Sequence, residues 1–147
     1  MSELQIAETP ADRTINQRIA LVVNKRLTPG AAANVAALAM GQLVLERPTL
    51  YAQAPVPDAV GRPHAAIRYS TVILKAGAGQ LDNLSRRLSD DDRVAFCCFS
   101  TLGQSLNNAF DEYAATLAVS EPELAAVGLS GDDPVVRELT RAFSVLT

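Results

Sequence analysis

The 147 residues include 48% hydrophobic and 20% charged side chains, enough apolar material for one compact domain with a two- or three-layer core. A net charge of -3 and a pI near 5.1 exclude the general electrostatic footprint of a nucleic-acid-binding protein. No apolar stretch approaches the roughly 20 residues of a membrane span, and Met1–Glu8 has neither the basic start nor the apolar middle of a signal peptide, so a cytoplasmic protein with no membrane partner is expected.

Residues 1–17, polar and mixed with Pro10, read as an N-terminal arm, and residues 18–147 as a single α/β domain. Ile19–Val23 is a near-continuous apolar, β-branched run, the pattern of a strand covered on both faces. Asn24–Arg26 form its polar exit. Thr28 is placed to cap a helix whose first position, Pro29, lacks an N–H where the loss costs least. That helix, predicted over Pro29–Glu46, spreads its apolar positions so widely that it reads as mostly buried.

From Arg47 to Ser70 the pattern breaks at Pro48, Pro55, Pro57, Gly61 and Pro63, predicting a long loop of functional use. Thr71–Lys75 reads as a second strand. Gly77 and Gly79 then open a helix through Leu81, Leu84 and Leu88, which stops at Asp90-Asp-Asp92, a solvated turn rather than a carboxylate metal cluster. Val94–Phe99 is a third strand, and Leu102–Ala118 holds helical material around Phe110, Tyr113 and Leu117. Ala125–Ser130, after Glu121-Pro-Glu123, is a fourth strand. The last helix opens on Asp132-Asp-Pro and has Arg141 near its end, charges that suit the helix dipole. The order β-α-β-α-β-α-β-α predicts an α/β sandwich with a small, largely parallel or mixed sheet.

The chemistry-bearing residues are sparse. Neither G-x-G-x-x-G nor G-x-x-x-x-G-K-[ST] occurs, so no nucleotide cofactor follows from motif, and no cofactor is expected. Cys97 and Cys98 are adjacent in a strand, so their sulfurs point to opposite faces and read as small hydrophobes of a buried strand. With His64 the single histidine, no structural zinc site can be assembled and no metal is expected. Asn24 and Lys25 leave the first strand at its carboxyl end, where open α/β sheets bind ligands, beside the helix start at Gly30 with its outward N–H groups. Asn34 lies one turn into that helix. His64 sits in the proline-rich loop with Arg68 and Tyr69, and Ser100, Thr101 and Gln104 follow the third strand. Ser100 lacks a nucleophile elbow such as G-x-S-x-G.

Four segments together carry a resemblance: Val22–Asn34, Val72–Ala76, Phe110–Tyr113 and Val127–Gly131. They resemble an uncharacterised domain-of-unknown-function family that is related in fold to the type II peptidyl-tRNA hydrolases. The resemblance implies a three-layer sandwich with a small four-stranded mixed sheet, and a homodimer. The departures from the hydrolase pattern fall on its chemistry. Where the hydrolases have an Asp-Leu turn this chain has Arg26-Leu27, and Gly30–Leu38 lacks their lysine and histidine. Their Asp-Ala-Gly stretch after the third strand is replaced by Phe99-Ser-Thr-Leu-Gly-Gln104, which holds no carboxylate. Lys75 matches a lysine the hydrolases also have.

The leading expectation is therefore a small anionic ligand bound at the start of the first helix, contacted by Asn24, Lys25, Gly30, Asn34, His64, Thr101 and Gln104, with the Arg47–Ser70 loop closing over it. The alternative is a hydrolase of acylated tRNA or a similar ester, with Lys75 and Ser100 as catalytic groups and Asn24 beside them. Ester hydrolysis needs an activated water and positioned donors. With those groups depleted, tRNA is not the favoured partner.

Overall fold

The computed structural model describes residues 16–147, and residues 1–15, most of the expected arm, lie outside the described residues. Seven strands and four helices follow in order: β1 Gln17–Asn24, α1 Pro29–Glu46, β2 Val56–Pro57, β3 Pro63–His64, β4 Ser70–Ala76, α2 Ala78–Ser89, β5 Val94–Ser100, α3 Phe110–Ala118, β6 Leu124–Asp132, α4 Asp133–Leu139 and β7 Ser144–Val145. The main sheet is mixed and has five strands in the order β5-β6-β1-β4-β7. Four of them are the expected ones. The fifth, β7, is a two-residue piece of the C-terminal tail that pairs antiparallel with Leu74 and Lys75.

Only β1 and β4 are parallel, in the register Arg18↔Ser70 through Asn24↔Ala76. β6 runs antiparallel to both β1 and β5. The β5-to-β6 connection leaves and re-enters at the same end of the sheet, with Ser100 opposite Leu124, so the antiparallel β6 does not need the crossover that parallel pairing demands.

Helices cover both faces. Leu21 and Val23 of β1 meet Ala32, Val35, Ala36 and Ala39 of α1 on one side. Ala20 and Val22 meet Leu81, Leu84 and Leu88 of α2, with Val136 and Leu139 of α4, on the other. Alanines on the buried face let α1 lie so close that the Cys97 thiol donates to the Ala39 carbonyl at 3.3 Å. The helix is nevertheless only half covered. Its buried stripe is Ala32, Val35, Ala36, Ala39 and Leu43, while Leu38 is 48% and Leu45 72% exposed. The wide spread of apolar residues predicted more burial than one sheet face supplies.

Two other expectations change. The Arg47–Ser70 segment is not a structureless loop: Pro48–Leu50 forms a 3-10 turn, Tyr51 bridges to Ile67, and β2 and β3 make a small antiparallel hairpin. Asp58 organises the hairpin turn. Its Oδ1 accepts from the backbone N–H groups of Val60 and Arg62, and its Oδ2 accepts from Arg62 Nε at 2.7 Å and lies 2.8 Å from His64 Nε2. Gly61, at φ +87°, makes the left-handed step the turn requires. The contact with His64, and then the Arg62 backbone N–H, hold the Asp58 carboxyl down at about 2. The helical material expected within Leu102–Ala118 comes in two pieces, a 3-10 turn, Thr101–Ser105, and α3, which holds Phe110, Tyr113 and Leu117. Asn107 and Asn108, at φ 47° and 67°, break it between the two, using the tolerance of asparagine for the left-handed region.

Candidate functional site

β1 and β4 are hydrogen-bonded neighbours pointing the same way, and each runs from its carboxyl end straight into a helix. α1 leaves toward one face of the sheet and α2 toward the other. Adjacent parallel strands whose connections depart on opposite faces form a switch point, and the opening at their carboxyl ends is where α/β sheets hold ligands. Two helix N-termini therefore flank Asn24, Lys25 and Gly77. Neither helix has an acidic residue in its first turn.

The local chemistry of this edge is ordered by capping. Thr28 Oγ1 accepts from the Ala31 N–H, as expected, and with Pro29 lacking an N–H the outer donor of α1 is Gly30. At α2, Gln80 Oε1 accepts from the Gly77 N–H at 2.9 Å. Lys25 donates its backbone N–H to the Ala76 carbonyl, extending the β1–β4 ladder. Its side chain lies along the α2 entrance, with Nζ 3.9 Å from where a Cβ on Gly77 would stand. A cation is thus placed at the positive end of α2, an arrangement that disfavours the empty edge and favours an anion.

Asn24 is 3% exposed, and every polar atom of its amide is used. Nδ2 donates to Glu123 Oε2 at 3.0 Å and to the Leu124 carbonyl at 3.2 Å, and Oδ1 accepts from the Arg26 N–H at 3.0 Å. It ties the end of β1 to the start of β6. The Glu123 backbone carbonyl accepts from the Thr101 N–H, so Asn24, Glu123 and Thr101 form one connected edge. Glu123 is the site residue that sequence reasoning missed. The carboxylate sought after β5 arrives instead from the lead-in to β6, and the polar Glu121-Pro-Glu123 step ahead of an apolar strand was the available signal.

The remaining candidates separate. Ser100 is 4% exposed and its Oγ accepts from the Gly103 N–H, so it serves as a turn cap rather than a presented nucleophile. Thr101 is half-buried beside it and Gln104 is exposed on the same turn. Lys75 is half-buried, paired with Val23 and Ser144 near the same sheet end. Asn34 is exposed on the outer side of α1.

His64 lies on β3 of the hairpin, with Asp58 as its side-chain partner. An 18-residue helix advances about 27 Å, so the segment after α1 begins at the opposite end of the sheet. There Leu50 packs with Ile19 and Leu43, and Arg47 donates to Gln17 at the start of β1. Both ends of the Arg47–Ser70 segment, Arg47 beside Gln17 and Ser70 paired with Arg18, are thus anchored at the end of the sheet away from the start of α1. Cys98 is also displaced from its expected environment: it is exposed, because β5 is an edge strand.

Among the described residues, no group of three His, Cys, Asp or Glu side chains comes together to hold a metal, and no helix is long and apolar enough to cross a membrane. The family model described as "Protein of unknown function (DUF2000)" matches residues 17–147. A solved structure of a protein of unknown function from Agrobacterium tumefaciens strain C58 is similar, with a TM-score of 0.77 and 15% identity over 90% of this chain and 98% of that one. At that identity the likeness concerns the fold alone. No match to a curated protein is found.

Proposed function

We propose that this chain, which belongs to the DUF2000 family of proteins of unknown function, binds a small anionic ligand at the carboxyl ends of β1 and β4. The observation that supports the reading is Lys25 lying over the Gly77 entrance of α2, with the Gly30 start of α1 on the other side of the same strand pair. Lys25 supplies the charge, and the outward N–H groups of the two helix starts supply the directed donors. Thermal unfolding against nucleotides, acyl phosphates and carboxylates tests it. A ligand at a hundred times its dissociation constant stabilises by about 2.7 kcal/mol, and this gain is expected to disappear in Lys25→Ala. An unshifted transition across the panel, or a gain that survives Lys25→Ala, rejects the site.

The second reading is hydrolysis of an acylated tRNA or similar ester on a scaffold like that of the type II peptidyl-tRNA hydrolases. The Glu123 carboxylate favours it, since the buried Asn24 amide orients a base where none was legible after β5. Turnover of an N-acylated aminoacyl-tRNA that is lost in both Glu123→Gln and Lys75→Ala, with unchanged melting, would establish this reading in place of simple binding.

A further inference from the structure

We infer, resting on the anion site proposed above, that its ligand is a zwitterion: an α-amino acid, or a molecule ending in one, whose carboxylate lies at Lys25 and whose ammonium lies at Glu123. The edge that offers Lys25 to an anion also carries a carboxylate. Lys25 follows Asn24 directly, and the Asn24 amide donates to Glu123 Oε2 at 3.0 Å. An anion with no other charge would meet Glu123 as a like charge beside its own partner, which disfavours it. A ligand that brings a cation to the same edge turns that repulsion into a second contact.

Glu123 is held in place for such a role. Its backbone carbonyl accepts from the Thr101 N–H at 2.9 Å, and its side chain is fixed by a residue that is itself 3% exposed. The Asn24 amide is locked in turn, because Nδ2 also donates to the Leu124 carbonyl and Oδ1 accepts from the Arg26 N–H. One amide donor on one oxygen leaves most of the acceptor capacity of a carboxylate open, since its two oxygens offer about four lone-pair sites. Lys25 and Glu123 are both exposed, and among the described residues neither forms an ion pair.

The fold keeps these two charges apart. β1 stands between β6 and β4, with Glu123 entering β6 on one flank and Gly77 leaving β4 on the other. Their backbones are therefore separated by two strand spacings, about 10 Å. Lys25 leans to the β4 side, where its Nζ lies 3.9 Å from the position of a Cβ on Gly77, while Glu123 reaches in from the β6 side to Asn24. An α-amino acid is of the right size to join them. Two charge-assisted hydrogen bonds of about 2.8 Å and the roughly 2.5 Å between an α-amine and its carboxyl carbon span about 8 Å.

NMR titration of the full chain, read at the Lys25 and Gly77 amides, tests this. Glycine, alanine, leucine and glutamate are compared with acetate, propionate, isocaproate and glutarate, the same acids without the amine. At least one amino acid is expected to bind about tenfold or more tightly than its amine-free acid. In Glu123→Gln that preference is lost and the amine-free acids gain, because the like charge is gone, whereas Lys25→Ala weakens both sets. Glutamine keeps an acceptor for Asn24, and Lys25 is exposed, so both variants are expected to stay folded by circular dichroism. Amine-free acids that bind through Lys25 as well as the amino acids do overturn the zwitterion and leave the anion site standing. A preference for the amine that survives Glu123→Gln overturns it too. If neither set nor inorganic phosphate moves those amides, the anion site itself falls and the zwitterion with it.

Discussion

Strands β1 and β5 are spelled alike and live differently. Ile19-Ala-Leu-Val-Val23 lies between β6 and β4, with α1 on one face and α2 and α4 on the other, and all five residues are buried. Val94-Ala-Phe-Cys-Cys-Phe99 has one neighbouring strand, and from Ala95 onward every residue keeps some exposure. Continuous apolar content, β-branched in β1 and aromatic in β5, identifies both as strands. It does not say which will be central, because that depends on where the later strand β6 inserts. The antiparallel β6 takes the place beside β1 and pushes β5 to the margin.

The sharpest way to break this comparison is to remove the same kind of contact from each strand. Ile19→Ala, at a fully buried site against Leu43 and Leu50, is expected to cost about 2–5 kcal/mol in urea unfolding. Cys98→Ser, at the exposed centre of β5, should stay within about 0.5 kcal/mol in dilute solution. Comparable losses would mean that β5 is as enclosed as β1. A smaller effect is expected where the two environments join. A Cβ on Gly131 of β6 would stand 2.9 Å from both the Arg93 carbonyl oxygen and Val94 Cγ1, so Gly131→Ala must push the start of β5 outward. We expect a loss of about 1–3 kcal/mol, with faster amide exchange at Val94 and Ala95 than at β1. Equal exchange at the two strands would show that the margin is as firmly held as the centre.

What was legible in the sequence is what neighbouring residues decide. Thr28 and Pro29 mark the start of α1, and strand followed by helix start placed Asn24, Lys25 and Gly30 at one edge. Features set by distant pairing were not. β7 exists because the tail finds the free side of β4, and Glu123 reaches Asn24 only through the return of β6, 99 residues later. The break at Asn107-Asn108 carries no proline or glycine to announce it. The anchoring of the Arg47–Ser70 segment is a different case, since the length of α1 alone carries its start to the far end of the sheet and needs no tertiary information.

The adjacent thiols give the smallest and most local form of the comparison. Cys97 points under α1, where burial pushes its thiol up to about 11 and its sulfur donates to Ala39. Cys98 points the other way into an exposed position. Partial burial of its sulfur and, behind it, the Asp82 carboxylate raise its pKa as well. The reactive species is the thiolate, so both should alkylate more slowly at pH 8 than a free cysteine. In dilute protein Cys98 should nonetheless react at least about tenfold faster than Cys97, a barrier difference near 1.4 kcal/mol, read by mass spectrometry of the labelled peptide. Equal rates for the two thiols would remove the difference between the faces of β5.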